Sequence, residues 1–167
     1  LSELKQYDEA IAHCDKALSL KPDYAEGWHS KALLNLFLKK YQAGWQDYNW
    51  RLHAKDSQLE MAIEGLALWN GLSCNSLLIF SEQGIGDIIF YASILESVKN
   101  KVVKVTLSTD ARLLPILSRS FPGITFIDSN SPLDPGLYDA QIPFASLPII
   151  MNMHPDMDGR RVPYLQD

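Results

Sequence analysis

The chain is poor in the features that announce the simplest functions. Cysteine occurs twice in 167 residues, at Cys14 and Cys74, with no paired spacing around either. That excludes the usual zinc patterns and a disulfide framework, and it leads us to expect a reducing, cytoplasmic setting. Basic residues form no block: 15 Lys and Arg stand against 20 Asp and Glu, for a net charge of −5. A nucleic-acid binder carries a basic footprint, so that class is set aside. No apolar run reaches the ~20 residues that a membrane helix needs, and no signal-peptide pattern opens the chain. An initiating Met is also missing. The chain opens Leu1-Ser2-Glu3 in mid-pattern, so we expect a partial chain whose targeting segment, if it has one, lies upstream. What is present suffices for a core: 47% of residues are hydrophobic and only 21% charged, which excludes a disordered acidic chain. The length suits one medium domain, or a small and a medium one.

The first third repeats. Tyr7 and Tyr41 are 34 positions apart, and at the same offset Leu4 meets Leu38, Ala10 meets Gly44, Cys14 meets Tyr48 and Leu18 meets Leu52. A 34-residue period with small, large and turn-forming positions in this order resembles the tetratricopeptide repeat. Ala10 and Ala17 take the small positions where two helices approach closely, and Pro22 follows a helix end. Trp28 opens the next copy as its large packing residue. Lys31 and Asn35 then depart from the pattern, where Leu and Tyr are expected. Residues 1–55 are thus read as repeat helices over 6–20, 25–38 and 41–54. A repeat buries its apolar face against its neighbours, so further repeats are expected upstream. Such arrays bind peptides or partner proteins in a groove. The plainer role is to cap the next domain, with Trp45, Tyr48, Trp50 and Leu52 as packing residues.

The pattern then stops, and 56–76 reads as a linker holding the turn signal Trp69-Asn70-Gly71. From Leu77 to the end, short apolar runs alternate with helical spacing. Strands are expected at Leu77–Ser81, Val102–Leu107, Ile124–Ile127 and Asp139–Ile142. Helices are expected at Ile88–Val98, Ala111–Phe121 and Ala145–Met151, with Pro115 and Pro148 as blemishes in the last two. Ser129–Leu137 reads as a turn-rich loop. The fold class is therefore α plus α/β: helical hairpins, then a Rossmann-like lobe over 77–167 with a parallel sheet and right-handed crossovers. Ligands of such sheets gather at the carboxyl ends of the strands.

That rule singles out Glu82-Gln83-Gly84-Ile85-Gly86-Asp87, the turn after the first strand. A dinucleotide fold would want a third glycine where Ile89 stands. An adenosylmethionine-dependent methyltransferase would want one at Ile88. In a purely structural reading, the glycines make a tight turn and Asp87 caps the following helix. Ser108, Thr109 and Asp110, at the end of the second strand, are expected to cap the next helix. His13, His29, His53 and His154 lie apart from one another and outside the loop, so packing or surface roles are expected for them.

The run Leu77-Leu-Ile-Phe-Ser-Glu-Gln-Gly-Ile-Gly-Asp87, with Leu95 after it, resembles the opening of the heptosyltransferase-like glycosyltransferases (family nine). More closely it is similar to the bacterial proteins that place tetratricopeptide repeats before such a domain. Tyr41-Gln-Ala-Gly-Trp45 with Tyr48, Trp50 and Arg51 resembles their last repeat, and Leu68-Trp69-Asn70-Gly71 their linker. Asp139-Ala-Gln-Ile-Pro143 with Ser146, Leu147 and Pro148 resembles a later strand and loop, and Val162-Pro163-Tyr164-Leu165 the way out of the lobe. The resemblance implies a GT-B enzyme whose first lobe contacts the acceptor. The second lobe, expected outside this chain, would hold a nucleotide-diphosphate sugar, so these residues alone should transfer no sugar. No cofactor and no metal are implied. Transfer would invert the sugar carbon. The Gly86-Asp87 pair corresponds to the family's catalytic carboxylate, which makes Asp87 the base. A helix start should keep that carboxylate ionised. The backbone N–H groups of Gly84, Ile85 and Gly86 would face the donor diphosphate. Glu82 and Gln83 would contact the acceptor, or Glu82 would hold the loop by a local hydrogen bond. The expected partners are a saccharide or protein acceptor and a protein bound by the repeats, with no nucleic acid and no transmembrane segment. The competing reading is a repeat scaffold with a lobe that no longer catalyses.

Overall fold

A computed structural model of the chain describes residues 2–54, 61–153 and 164–166. The chain divides into two units, Leu1–Leu59 and Glu60–Asp167. The first unit holds α1 (Ser2–Leu20), α2 (Ala25–Phe37) and α3 (Tyr41–Tyr48), the last running into a 3-10 turn over Asn49–His53. The third helix expected over 41–54 thus tightens after its eighth residue. Gly44 explains how α2 and α3 meet. A Cβ added there would lie 2.6 Å from Leu36 Cγ and 3.0 Å from the Leu36 backbone nitrogen, so only a hydrogen fits at this crossing. Gly44→Ala is therefore expected to destabilise the unit by a net ~1–2 kcal/mol, because overpacking outweighs Ala's better helix propensity. A lower thermal unfolding midpoint is the readout.

Around this crossing Leu18, Ala25, Ala32, Trp45 and Tyr48 are buried, and the Trp28 and Trp50 rings stack 5.6 Å apart. The two departures from the repeat pattern are accommodated differently. Lys31 reaches Asp15 on α1 at 2.6 Å and lies over the Trp28 ring, so it joins two helices where Leu would have packed. Asn35 is simply buried. Arg51 is also buried; it lies over the Tyr48 ring at 4.7 Å and donates to Asn49 Oδ1 at 3.0 Å. His29 packs edge-on to Tyr48. Burial, and then the Arg51 charge, push the His29 pKa below its usual value.

In the second unit β1 (Cys74–Phe80) leads to α4 (Ile85–Ala92) and α5 (Leu95–Lys99). Next come β2 (Val102–Thr109), α6 (Leu114–Ser120), β3 (Ile124–Asp128), β4 (Ala140–Pro143) and α7 (Leu147–Ile150). The four strands are parallel in the order β3-β2-β1-β4. Central β1 carries Leu77, Leu78 and Ile79 at zero exposure, as a strand covered on both faces requires. The crossovers β1–β2 and β2–β3 run in one direction, so the right-handed rule puts α4, α5 and α6 on one face. The return from β3 to β4 crosses the other face with a single 3-10 turn, Pro135–Leu137.

Several boundaries differ from the sequence reading. The helix expected at Ile88–Val98 starts three residues earlier and is broken between α4 and α5, where the Ser93 hydroxyl donates to the Phe90 carbonyl at 2.7 Å. The two prolines read as blemishes are start signals. Each stands in the first helical turn of α6 or α7, after a 3-10 turn over Ala111–Leu113 or Phe144–Ser146, where its missing N–H leaves no bond unmade. β1 begins at Cys74, inside the expected linker. Much of the rest of that linker is sheet edge: Leu68 bridges in parallel to Gln141, whose backbone N–H donates to Ala67 O and whose carbonyl accepts from Trp69 N, both at 2.9 Å. The turn signal holds, with Gly71 at φ +87° and the Asn70 side chain accepting from Leu72 N. Residues 56–60 of the linker, His154, and Val162 and Pro163 of the exit segment lie outside the described residues. Tyr164, from the same exit segment, donates its hydroxyl to Ile89 O at 2.9 Å, which docks it on α4.

Candidate functional site

Central β1 pairs with β2 on one side and β4 on the other. The chain runs from β1 outward to β2 and β3 and then returns to β4 on the other side of β1, so the β1–β4 boundary is the switch where parallel sheets take up ligands. Glu82–Asp87 follows β1 there. Ser81 N anchors its start on Ser108 O at 2.9 Å. Glu82 Oε1 accepts from Ala145 N at 3.3 Å, and Tyr91 of α4 packs on Phe144 at 5.8 Å. The hydrogen bond expected of Glu82 is thus long-range, tying the turn after β1 to the turn after β4. Gln83 is half-buried beside it.

Asp87 does not cap the helix. The cap position of α4 is Gly84, at φ −66° and ψ 164°, and no side chain bonds to that end. Asp87 stands three positions past the cap, inside the first turn. It is exposed, and its carboxylate makes no hydrogen bond or ion pair among the described residues. The tight-turn reading of the glycines also fails. Neither Gly84 nor Gly86 has a positive φ. A Cβ on Gly84 would meet nothing closer than Asp87 Oδ2 at 3.6 Å, and one on Gly86 would meet open space. The chain's own conformation does not call for glycine at either place. What glycine leaves there is bare backbone at a helix start, open to close approach.

Asp110, expected as a cap, is one. It accepts from Arg112 N at 2.9 Å and, in a bidentate pair, from Arg112 Nε and Nη2 at 2.9 and 2.7 Å. These bonds, the side-chain pair first, lower its pKa from 3.8 to about 2. The depressed value means a stabilising contribution that is complete above pH ~4 and fades as pH falls through about 2. An NMR titration should place the Asp110 midpoint near 2, and Arg112→Ala should return it toward 3.8. Next to it, the Thr109 hydroxyl is buried without a partner among the described residues.

A cavity of about 550 Å³ opens at the same edge, walled by Phe80, Ser81, Ser108 and Ser129 from the strand ends and by residues 62–64. The reading from sequence missed two elements of this edge. One is Gln141, fully buried and betrayed only as a polar residue within an apolar strand. The other is the turn at Phe144–Ser146, which nothing local connects to Glu82. Among the described residues no group of three or more His, Cys, Asp or Glu is placed to hold a metal ion. Among the same residues no helix is long and apolar enough to cross a membrane.

Over 131 residues the chain is 28% identical to protein FlbA of Caulobacter vibrioides, an alignment that covers 73% of this chain and 22% of FlbA. The chain therefore matches less than a quarter of that relative's length. No protein-family model matches it, and no solved structure matches it significantly.

Proposed function

We propose that these residues form the acceptor-side lobe of an inverting, two-lobed glycosyltransferase of the heptosyltransferase-like kind, preceded by tetratricopeptide-like helices. The observation that carries this reading is the Glu82–Asp87 turn at the switch of a parallel sheet, where an exposed, unengaged carboxylate follows two glycines that the chain's own conformation does not require. The 34-residue period and the glycine crossing of α2 and α3 support the repeat assignment. In the reaction, an acceptor hydroxyl attacks the sugar carbon while the nucleotide diphosphate leaves from the opposite side. Asp87 takes the hydroxyl proton. The N–H groups of Gly84, Ile85 and Gly86 face the charge that grows on the leaving diphosphate. Glu82 holds the turn in place through Ala145. The donor lobe rests on the resemblance alone.

The test is a transfer assay on the longer, two-lobed protein with a panel of nucleotide-diphosphate sugars, beside the 167-residue chain. Turnover by the former and none by the latter is expected. Sugar transfer by the short chain would sink the reading, and so would adenosylmethionine binding by its lobe. A second reading, a protein-interaction module, draws on α2, whose Leu33 and Phe37 are 48% and 65% exposed one turn apart. A two-lobed protein that turns over no sugar at all would favour it.

A further inference from the structure

The cavity at the strand ends lies on the face away from the Asp87 helix. Phe80 and Ser108 are register partners and share a face with Leu78, Thr106 and Gln141. Gln141 points its amide at Ile63 and Leu66, so this face is the one covered by residues 62–66. The helices α4 to α6 lie on the other. The return from β3 to β4, which carries a 3-10 turn and no α-helix, supplies Ser129, Ser131, Leu133 and Pro135 to the cavity wall.

Its walls have a definite chemistry. Ser81, Ser108, Ser129 and Ser131 bring four hydroxyls and Glu64 a carboxylate, while Phe80 is part of its apolar surface. Among the described residues no Lys, Arg or His lines it, so its described walls offer no positive charge to a phosphate or a nucleotide. None of the four serine hydroxyls makes a hydrogen bond among the described residues. For Ser108 this matters, because the residue is only 5% exposed. Its Oγ is not one of the buried, unpartnered side-chain atoms, so this unengaged hydroxyl is open to the cavity and available to a ligand there. Donors that also accept, one acid and an apolar wall are the complement of a molecule with many hydroxyls and a C–H face. The volume is in the range of small-molecule sites.

We infer that this cavity is a binding site for a neutral, hydroxyl-rich small molecule of the sugar class, separate from the Asp87 turn. The inference goes beyond the transferase reading and stands if that reading fails, since it concerns binding on the opposite face of the sheet.

The test is an NMR amide titration of the 167-residue chain with neutral methyl glycosides and disaccharides, and in parallel with inorganic phosphate and adenosine monophosphate. At least one neutral sugar should shift Ser81, Ser108 and Ser129 in a saturable way, with the anions shifting none of them. Ser108→Val, which removes the hydroxyl and narrows the cavity, should weaken that binding by about tenfold or more. Exposed Ser129→Val provides a second variant should Ser108→Val not fold. The inference would be overturned by no shift at these residues from any neutral sugar at tens of millimolar, or by sugar binding that both variants leave intact. Saturable binding of the anions at these residues would overturn it as well.

Discussion

Asp87→Asn and Asp87→Ala in the two-lobed protein are expected to lower kcat for sugar transfer by about 10²–10⁴, the usual worth of a positioned general base. The argument starts from exposure. Asp87 is in the first turn of α4, open to solvent and bonded to no other described residue. Its removal breaks no internal contact. The folded state loses only the attraction between a carboxylate and a helix start, ~0.3–1 kcal/mol. Catalysis and stability should therefore separate cleanly: turnover collapses while the thermal midpoint hardly moves. The acceptor KM should change little, because Asn keeps the shape and the hydrogen-bonding reach. If both variants stay active within a few-fold, the carboxylate is a helix-dipole residue and the base lies elsewhere on the edge, with Glu82 the first to test.

Gln141→Leu should cost roughly 2–4 kcal/mol of folding stability, a large share of the 5–15 typical of a domain. Gln141 is wholly buried. Its amide nitrogen donates to Ile63 O and to Leu66 O at 3.1 Å, and its oxygen accepts from Ile63 N at 3.0 Å. Leucine fills a similar space but leaves those groups of 63–66 without partners beneath the sheet. Urea unfolding gives the size of the loss. Hydrogen exchange at the Ile63 amide should accelerate more than at β1, since this one side chain pins the segment to β4. Gln141→Glu should be worse near neutral pH, because a carboxylate would face two carbonyls. Burial would raise its folded pKa above the unfolded value. Its penalty should therefore ease as pH falls toward that raised value. An unchanged urea midpoint in Gln141→Leu would show that the segment is held by Leu68 and Trp69 alone.

Much of this was legible in the sequence, and the reasons are local. The apolar run Leu77-Leu78-Ile79-Phe80, short and followed by a glycine turn, reads as a buried strand, and the 34-residue period puts small Gly44 where α2 and α3 come close. Asp110, next to the end of a strand and two residues before Arg112, capped as its position suggested. The misreadings share a cause. Pro115 and Pro148 count as blemishes in helices that start at Ala111 and Ala145, but the α-helices start at Leu114 and Leu147, and the same residue that breaks a helix inside suits its first turn. Asp87 was read as a cap because the strand-to-helix turn looked tight, whereas the helix reaches back to Ile85 and leaves Gly84 at its end.

The sequence by itself determined the alternation of strands and helices, the place of the turn after β1, and the identity of its glycines and carboxylate. These follow from periodicity and conformational preference, which act over a few residues. Only the tertiary structure decided which distant groups meet. It brought Glu82 to Ala145 and Gln141 to Ile63 across 63 and 78 positions, and it left the β3–β4 return without a helix to cover one face. Those outcomes depend on strand order and on the hydrogen bonds that buried groups must find wherever the fold places a partner. No local pattern encodes them.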